Sequence, residues 1–435
     1  MKTVIVLLGF TVVAAMLVVM VSTDFFALFR GERTHVTQVY FADNISPAHQ
    51  AAIQEFNTRY AGKIEVIPVN LPFDKFTTNE RKELLTRSLR TKSDRIDIFA
   101  VDYIWVARFA KWAEPLDRHV TDGEKKAILN DALETCTYNN ALVAMPFYID
   151  IGMMYYRRDL VQKFPDSQHI EERLRRSISW EELLRLGSRF DRGARSFYIF
   201  QANDFEGLVC NYFEILAGMD PEFRVHRRID LSSHHAHAAL QFLVDLVHRQ
   251  KLSPTAVSEF DEQRSYTYML QHDGVFIRGW PNFLEQFRTF FPDTNKLNNI
   301  ARSALPHFEG KRPASVFGGW NLMVSKYSTR KDAAIKFIRF LQTEEIQRLL
   351  FEIGGYIPIN TSVYADSSYL SNHPDLRYYR TLLDNGFHRP VLEEYTKISD
   401  ILSHYLHAAV KRELTVAEAL QNASRMIESN EVLIK

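Results

Sequence analysis

Cysteine is nearly absent: two residues of 435, Cys136 and Cys210. That excludes a disulfide scaffold and any zinc or iron–sulfur site built from four cysteines. The two lie far apart, so reduced, buried small hydrophobes is the simpler expectation. A disulfide stays open if the body is exported. Excess charge is absent too, because 53 Lys+Arg balance 53 Asp+Glu. A protein working mainly on nucleic acid usually carries a basic surplus. The phosphate-cradling GxxxxGK[ST] and GxGxxG loops do not occur, nor do GxSxG or HExxH. There is no low-complexity linker and no repeat with a period of roughly 20–50 residues. His234, His235 and His237 bunch together, but they follow Ser232 and Ser233 at a helix start. His234 and His237 alone are too few ligands for a metal. Asp97, Asp102, Glu114 and Asp117 offer carboxylates. Spacing alone places no two of them at the separation that glycoside hydrolysis requires.

What remains is ordinary in bulk and specific in detail. Hydrophobic residues make up 46% and charged residues 24%, values of a packed globular chain. At about 150 residues per domain, the length implies two to three domains. Aromatics are plentiful, with 31 Phe, 19 Tyr and 5 Trp. They serve a large core or an aromatic-lined cleft.

Thr3 to Val21 is uncharged and almost wholly apolar. Such a run just spans the hydrocarbon core of a bilayer. Val21-Ser22-Thr23 is a poor cleavage site and no Cys follows the run. An uncleaved anchor is therefore favoured over a cleaved signal. One N-terminal crossing with the body outside is the simplest topology.

The body then alternates strand and helix. Val36–Ala42 reads as a strand, and Ser46-Pro47 as a helix start. Ile64–Val69 is the second strand and Lys75–Arg90 the second helix. Ile96–Val101 is an apolar run of the buried, parallel type, with Asp102 at its end. Tyr103–Trp112 reads as a third helix. This order predicts an open parallel sheet covered on both faces, with ligands outside the carboxyl ends of the strands. Further on, Ile151–Tyr156 and Gly274–Ile277 are strand-like. Trp180–Leu186, Ala236–Val247, Lys331–Phe351 and Val416–Ile434 are helical. Ser315–Ser325 crosses a break at Gly318-Gly319.

Polar and aromatic residues cluster at the breaks between elements: Asp102-Tyr103, Phe147-Tyr148-Ile149-Asp150, Arg278-Gly279-Trp280-Pro281, Gly318-Gly319-Trp320-Asn321 and Arg389-Pro390. Sugars need this mixture. Their C–H faces pack on flat rings, and their hydroxyls need carboxylate acceptors and guanidinium donors.

Seven stretches carry a resemblance: RIDIFAVDYIWVARFAKWAEPLD (95–117), ALVAMPFYIDIGMMYYRRDL (141–160), FEGLVCNYFE (205–214), GVFIRGWPN (274–282), ASVFGGWNLMVSKYSTRKDAAIKFIRFL (314–341), GGYIPINTSVY (354–364) and RPVLEEYTKISDIL (389–402). In content and order the chain resembles the family 1 extracellular solute-binding proteins. These are the sugar-binding components of ABC importers, related to maltose- and trehalose-binding proteins. The resemblance implies a periplasmic-binding-protein-like (type II) α/β fold. Two lobes would be joined by a three-crossover hinge, preceded here by an N-terminal hydrophobic helix over 1–35. Lobe one would comprise 36–146 and 307–342, and lobe two 147–306 and 343–435. No catalysis and no cofactor are implied.

By the same resemblance, Asp102 would accept sugar hydroxyls. Tyr148 and Asp150 would line the opposite lobe. Trp280 and Trp320 would stack on the sugar, Gly318 and Gly319 would admit its close approach, and Arg389 would donate to hydroxyls. Arg81 and Glu206 carry over more weakly, and Asp43-Asn44 matches in position only. The leading expectation is a monomeric extracytoplasmic protein that hands a carbohydrate, an oligosaccharide above all, to ABC permease subunits by hinge closure. A membrane-anchored sugar sensor serving a receptor or kinase is the alternative. A glycoside-acting enzyme ranks third.

Overall fold

The computed structural model describes residues 36–72, 78–92, 95–190, 196–226, 228–288 and 290–429. The Thr3–Val21 run, and with it the expected N-terminal hydrophobic helix, lies outside the described residues. Among the described residues no helix is long and apolar enough to cross a membrane.

The first strands form as their patterns require. β1 (Thr37–Asp43) pairs parallel with both β2 (Ile64–Asn70) and β3 (Ile98–Asp102). Every residue of β3 before Asp102 is buried. Ser46 caps the helix Pro47–Arg59: its Oγ accepts from His49 N at 3.3 Å, while Ser46 N donates to the His49 ring at 3.4 Å. Pro47 occupies the first helical position, where its missing N–H costs nothing. Residues 103–112 do not form the single helix expected. They fold as a 3-10 turn, one α-turn and a second 3-10 turn. The sequence there is crowded with Tyr103, Trp105, Phe109 and Trp112, all buried. Aromatics lose side-chain freedom in a regular helix, and tighter turns let each find its own contacts.

β4 (Thr137–Tyr138) and β5 (Ala141–Leu142) make a short hairpin before β6 (Met145–Ile151). β6 leads through Gly152 to β7 (Met153–Arg157). There follow β8 (Tyr198–Ile199), β9 (Phe276–Gly279), β10 (Ile300–Ser303), β11 (Ser315–Val324) and β12 (Gly386–Phe387). The first sheet has the order β12-β11-β3-β1-β2, with β6 also paired to β11. The second has the order β10-β7-β9-β8. β1 to β3 are parallel as expected, but β11 runs antiparallel to both β3 and β6. The stretch 315–324 is one continuous strand rather than a broken one, with its irregularity at Trp320/Asn321.

The helix Glu206–Met219 is buried at every residue between its ends. It packs against the helices His234–His248 and Tyr395–Val410. Cys136 and Cys210 are both buried and not bonded to each other.

Two expectations need correction. The single helix over 331–351 is two helices, Lys331–Leu341 and Glu344–Gly354. Thr343 is extended and opens the second, with Glu344 and Glu345 favourably placed in its first turn. The expected lobe limits also shift. β6 stays in the first sheet through Ile151, so the chain leaves it at Gly152, not at 147. The return comes after His307, whose backbone still bonds to Ile178 and Trp180. Residues 344–361 were expected with the second body, but the helix Glu344–Gly354 packs on the helix Pro47–Arg59. Beyond it, Leu129 N donates to Ile359 O and Thr361 N to Ala127 O, each at 2.8 Å.

At the centre of the first sheet, Gly319 sits at φ +133, and an ideal Cβ would fall 2.6 Å from Tyr148 O on β6. Gly62 also has positive φ, +75, but nothing lies within 4 Å of its Cβ position. Both substitutions to Ala incur backbone strain, and only Gly319→Ala adds a collision with a neighbouring strand. Gly319→Ala should cost about 1–3 kcal/mol, and Gly62→Ala clearly less, by urea unfolding. Equal losses would show that strand approach is not the controlling factor.

Candidate functional site

Strand register assembles the site. β11 places Trp320 opposite Asp102 on β3 and opposite Tyr148 on β6, and Gly318 opposite Asp150. Tyr148 and Asp150 are two residues apart on β6 and so share a face. Asp102 ends β3, and its Oδ1 accepts from Ile104 N at 3.2 Å, capping the turn that follows. Five of the residues expected in the site, Asp102, Tyr148, Asp150, Gly318 and Trp320, are therefore brought together by the antiparallel pairings of β11.

Arg389 links this seam to the second body. Its Nη2 donates to Asp102 Oδ1 at 3.1 Å and its Nη1 to Glu206 Oε1 at 2.6 Å. Its Nε and backbone N both donate to the Tyr103 hydroxyl, at 3.1 and 3.0 Å. Glu206 stands at the start of the helix Glu206–Met219 and also accepts from Tyr395 and Ser399 on the helix Tyr395–Val410. Arg389 is 2% exposed. These carboxylates hold its guanidinium charged, while burial pushes the Asp102 carboxyl up against the opposing pull of Arg389. Arg389 and Glu206 thus spend much of their hydrogen-bonding capacity on protein partners. Their geometry suits positioning Asp102 more than the direct hydroxyl contacts expected of Arg389.

Next to this knot lies a second buried pair. Arg278, fully buried, donates from Nε and Nη2 to Glu214 at 3.1 and 2.8 Å. Glu214 Oε1 also accepts from Val316 N at 3.3 Å. Gly152 passes so close that an ideal Cβ would fall 1.9 Å from Glu214 Oε1, so the crossing point admits no side chain. The Arg278 guanidinium lies 3.9 Å from the Trp280 ring centroid, and Trp280 Nε1 donates to Glu262 Oε1 at 3.4 Å. An ideal Cβ on Gly318 would stand 3.0 Å from both Asp150 Cβ and Trp280 Cζ3, so Asp150 and Trp280 meet over this glycine. Asp150 Oδ1 is buried and has no donor among the described residues. Burial, reinforced by the nearby Asp102 charge, pushes its carboxyl up to about 8.

A third cluster closes the end of β1. Arg81 Nη2 donates to Asp43 Oδ1 at 2.9 Å, with both residues buried. The Arg81 guanidinium lies 4.5 Å from the Trp320 ring centroid, and Trp105 meets that ring edge-on at 5.9 Å. His49 is stacked between Phe147 and Tyr356, at 4.9 and 5.0 Å, and burial keeps it neutral by lowering its pKa. Tyr148 packs on Tyr356 at 4.5 Å. Beside Tyr148, Gly318, Gly319 and Asn321 the enclosed space is about 10 Å³, room for one water.

All ten expected residues therefore fall in one region, in three linked clusters. Arg278, Glu214, Tyr103, His49 and Tyr356 were not singled out. Arg278 and Tyr103 did stand inside polar-aromatic clusters, next to Trp280 and Asp102. Glu214 and His49 gave no signal, because their partners come from distant segments.

Residues 51–377 match a family described as bacterial extracellular solute-binding protein. A probable ABC transporter-binding protein of Deinococcus radiodurans is 24% identical over 360 residues, covering 79% of this chain and 82% of that protein. Maltose-bound MalE3 of T. maritima superposes with a TM-score of 0.80 at 26% identity, covering 91% of this chain and 100% of that one. The GacH receptor of Streptomyces glaucescens superposes with a TM-score of 0.75 at 19% identity, covering 91% and 98%.

The buried Asp150 has a measurable consequence. An unfolded Asp ionises near pH ~4, whereas Asp150 in the fold keeps its proton to about 8. Between these values the folded chain binds more protons, so this group's contribution to stability falls as pH rises. Asp150→Asn should therefore stabilise the protein by about 1–3 kcal/mol more at pH 8 than at pH 5, read from urea midpoints. The same increment at both pH values would show that Asp150 is not proton-holding.

Proposed function

The chain belongs to the bacterial extracellular solute-binding protein family, and from that premise we propose that it is the carbohydrate-binding component of an ABC importer. It takes an oligosaccharide outside the cytoplasm and presents it to the permease, without chemistry on the sugar. The observation that carries the carbohydrate reading is the meeting of Asp102, Tyr148, Asp150, Trp280 and Trp320 on strands of two sheets. Rings and carboxylates are the two surfaces a sugar requires, one for C–H faces and one for hydroxyl hydrogens. The bound sugar of T. maritima MalE3, maltose, points the same way.

Size dictates the motion. Ligand sites occupy roughly 300–1,000 Å³, against the about 10 Å³ enclosed beside Tyr148 and Gly318. Admission of a sugar requires the two sheet-centred bodies to part, with Arg389 and the Gly152 crossing at the hinge. Closure then shuts water out and strengthens each polar contact. In this reading Asp102 and Asp150 accept from hydroxyls, and Trp280 and Trp320 stack on the sugar. Gly318 and Gly319 keep side chains out of its way. Arg389, Glu206 and Arg81 hold the carboxylates and rings in place.

Isothermal titration of the purified protein with maltose, trehalose and larger α-glucosides tests this. Micromolar binding with a negative heat-capacity change is expected. Trp280→Ala and Trp320→Ala should each weaken it by about 1–3 kcal/mol through lost ring contact. Asp102→Ala should cost a similar amount or more, because hydroxyls and Arg389 lose their acceptor. Wild-type affinity in all three variants would place the sugar elsewhere.

A further inference from the structure

The charges around the site do not balance. Asp102, Asp150, Glu206, Glu214 and Glu262 cluster there with Arg278 and Arg389, while Arg81 is held by Asp43. Arg389 is engaged by Asp102 and Glu206, and Arg278 by Glu214. Asp150 is left over, and Arg278, bonded to Glu214 through Nε and Nη2, has no acceptor for its Nη1 among the described residues. Asp150 is 8% exposed, and among the described residues nothing donates to its Oδ1. The charged groups that act on it are Asp102, which repels, and Arg278, which attracts but is bound to Glu214. Trp280 stands beside it across Gly318, and Glu262 accepts from the indole of the same Trp280.

A buried acceptor of this kind calls for a donor, and among so many carboxylates Asp150 keeps its own proton until a cation takes that proton's place. A hydroxyl supplies a donor but leaves Asp150 protonated. An ammonium supplies three donors and lets Asp150 ionise beside it, and an aromatic face next to it is attractive to a cation. We propose that the ligand is an amino sugar whose protonated amine is held by Asp150 next to Trp280. This rests on the carbohydrate reading above and narrows it to a class of sugar.

The test is isothermal titration of the full chain at pH 7 with 1,4-linked glucosyl disaccharides of both anomeric series. Each is used as the neutral sugar, as its 2-amino-2-deoxy form and as the N-acetylated amine. The free amine is expected to bind at least tenfold tighter than both uncharged forms, a comparison that needs no variant. Asp150→Asn should abolish that preference, so that within this variant the amine binds no tighter than the neutral sugar. Neutral sugar binding as tightly as the amine would overturn the amine proposal and leave the carbohydrate reading standing. No binding by any form would overturn both. An amine preference that survives Asp150→Asn would overturn the assignment to Asp150.

Discussion

A guanidinium almost wholly out of water is tolerable only where carboxylates and hydrogen-bond acceptors surround it. Arg389 meets that requirement by drawing on distant parts of the chain: Asp102 and Tyr103 at the end of β3, and Glu206 at the head of a buried helix. Tyr395 and Ser399 complete the set through Glu206. Each partner is needed for the burial of the others. The consequence is positional: Asp102 cannot turn away from the centre, and the two bodies meet at a defined point. Arg278 and Glu214 repeat the arrangement one layer away, where Gly152 leaves them the room.

The same guanidiniums shape the aromatic surfaces. Arg278 lies against Trp280, and Arg81 against Trp320. These contacts fix ring orientation in advance, which lowers the ordering cost of binding. Asp150 Oδ1, Arg278 Nη1 and His49 Nε2 are without a partner among the described residues, so the site keeps both donor and acceptor capacity open.

Much of the fold was legible because it follows from local patterns. Ser46-Pro47, the apolar run ending at Asp102, and the amphipathic spacing of 331–351 each announce helix or strand by composition and period, though the last hides the break between Leu341 and Glu344. The misreadings have local causes of another kind. Residues 103–112 carry helical spacing but too many buried rings for a regular helix. Thr343 looks like a helix interior residue yet is extended, and the helix that follows it packs on the helix Pro47–Arg59. The placement of 344–361 depended on that break, and no periodicity reports it.

For the site, the sequence determined which residue types stand at the ends of strands. Asp102 ends β3, Asp150 stands next to the end of β6 and Trp280 directly follows β9, whereas Trp320 lies inside β11. Tertiary structure alone decided what each group does. Whether a carboxylate is paired depends on segments far along the chain: Asp102 and Glu206 receive Arg389, Glu214 receives Arg278, and Asp150 receives nothing on Oδ1 among the described residues. Burial and the distance between charges set these outcomes, and both arise only when the sheets come together.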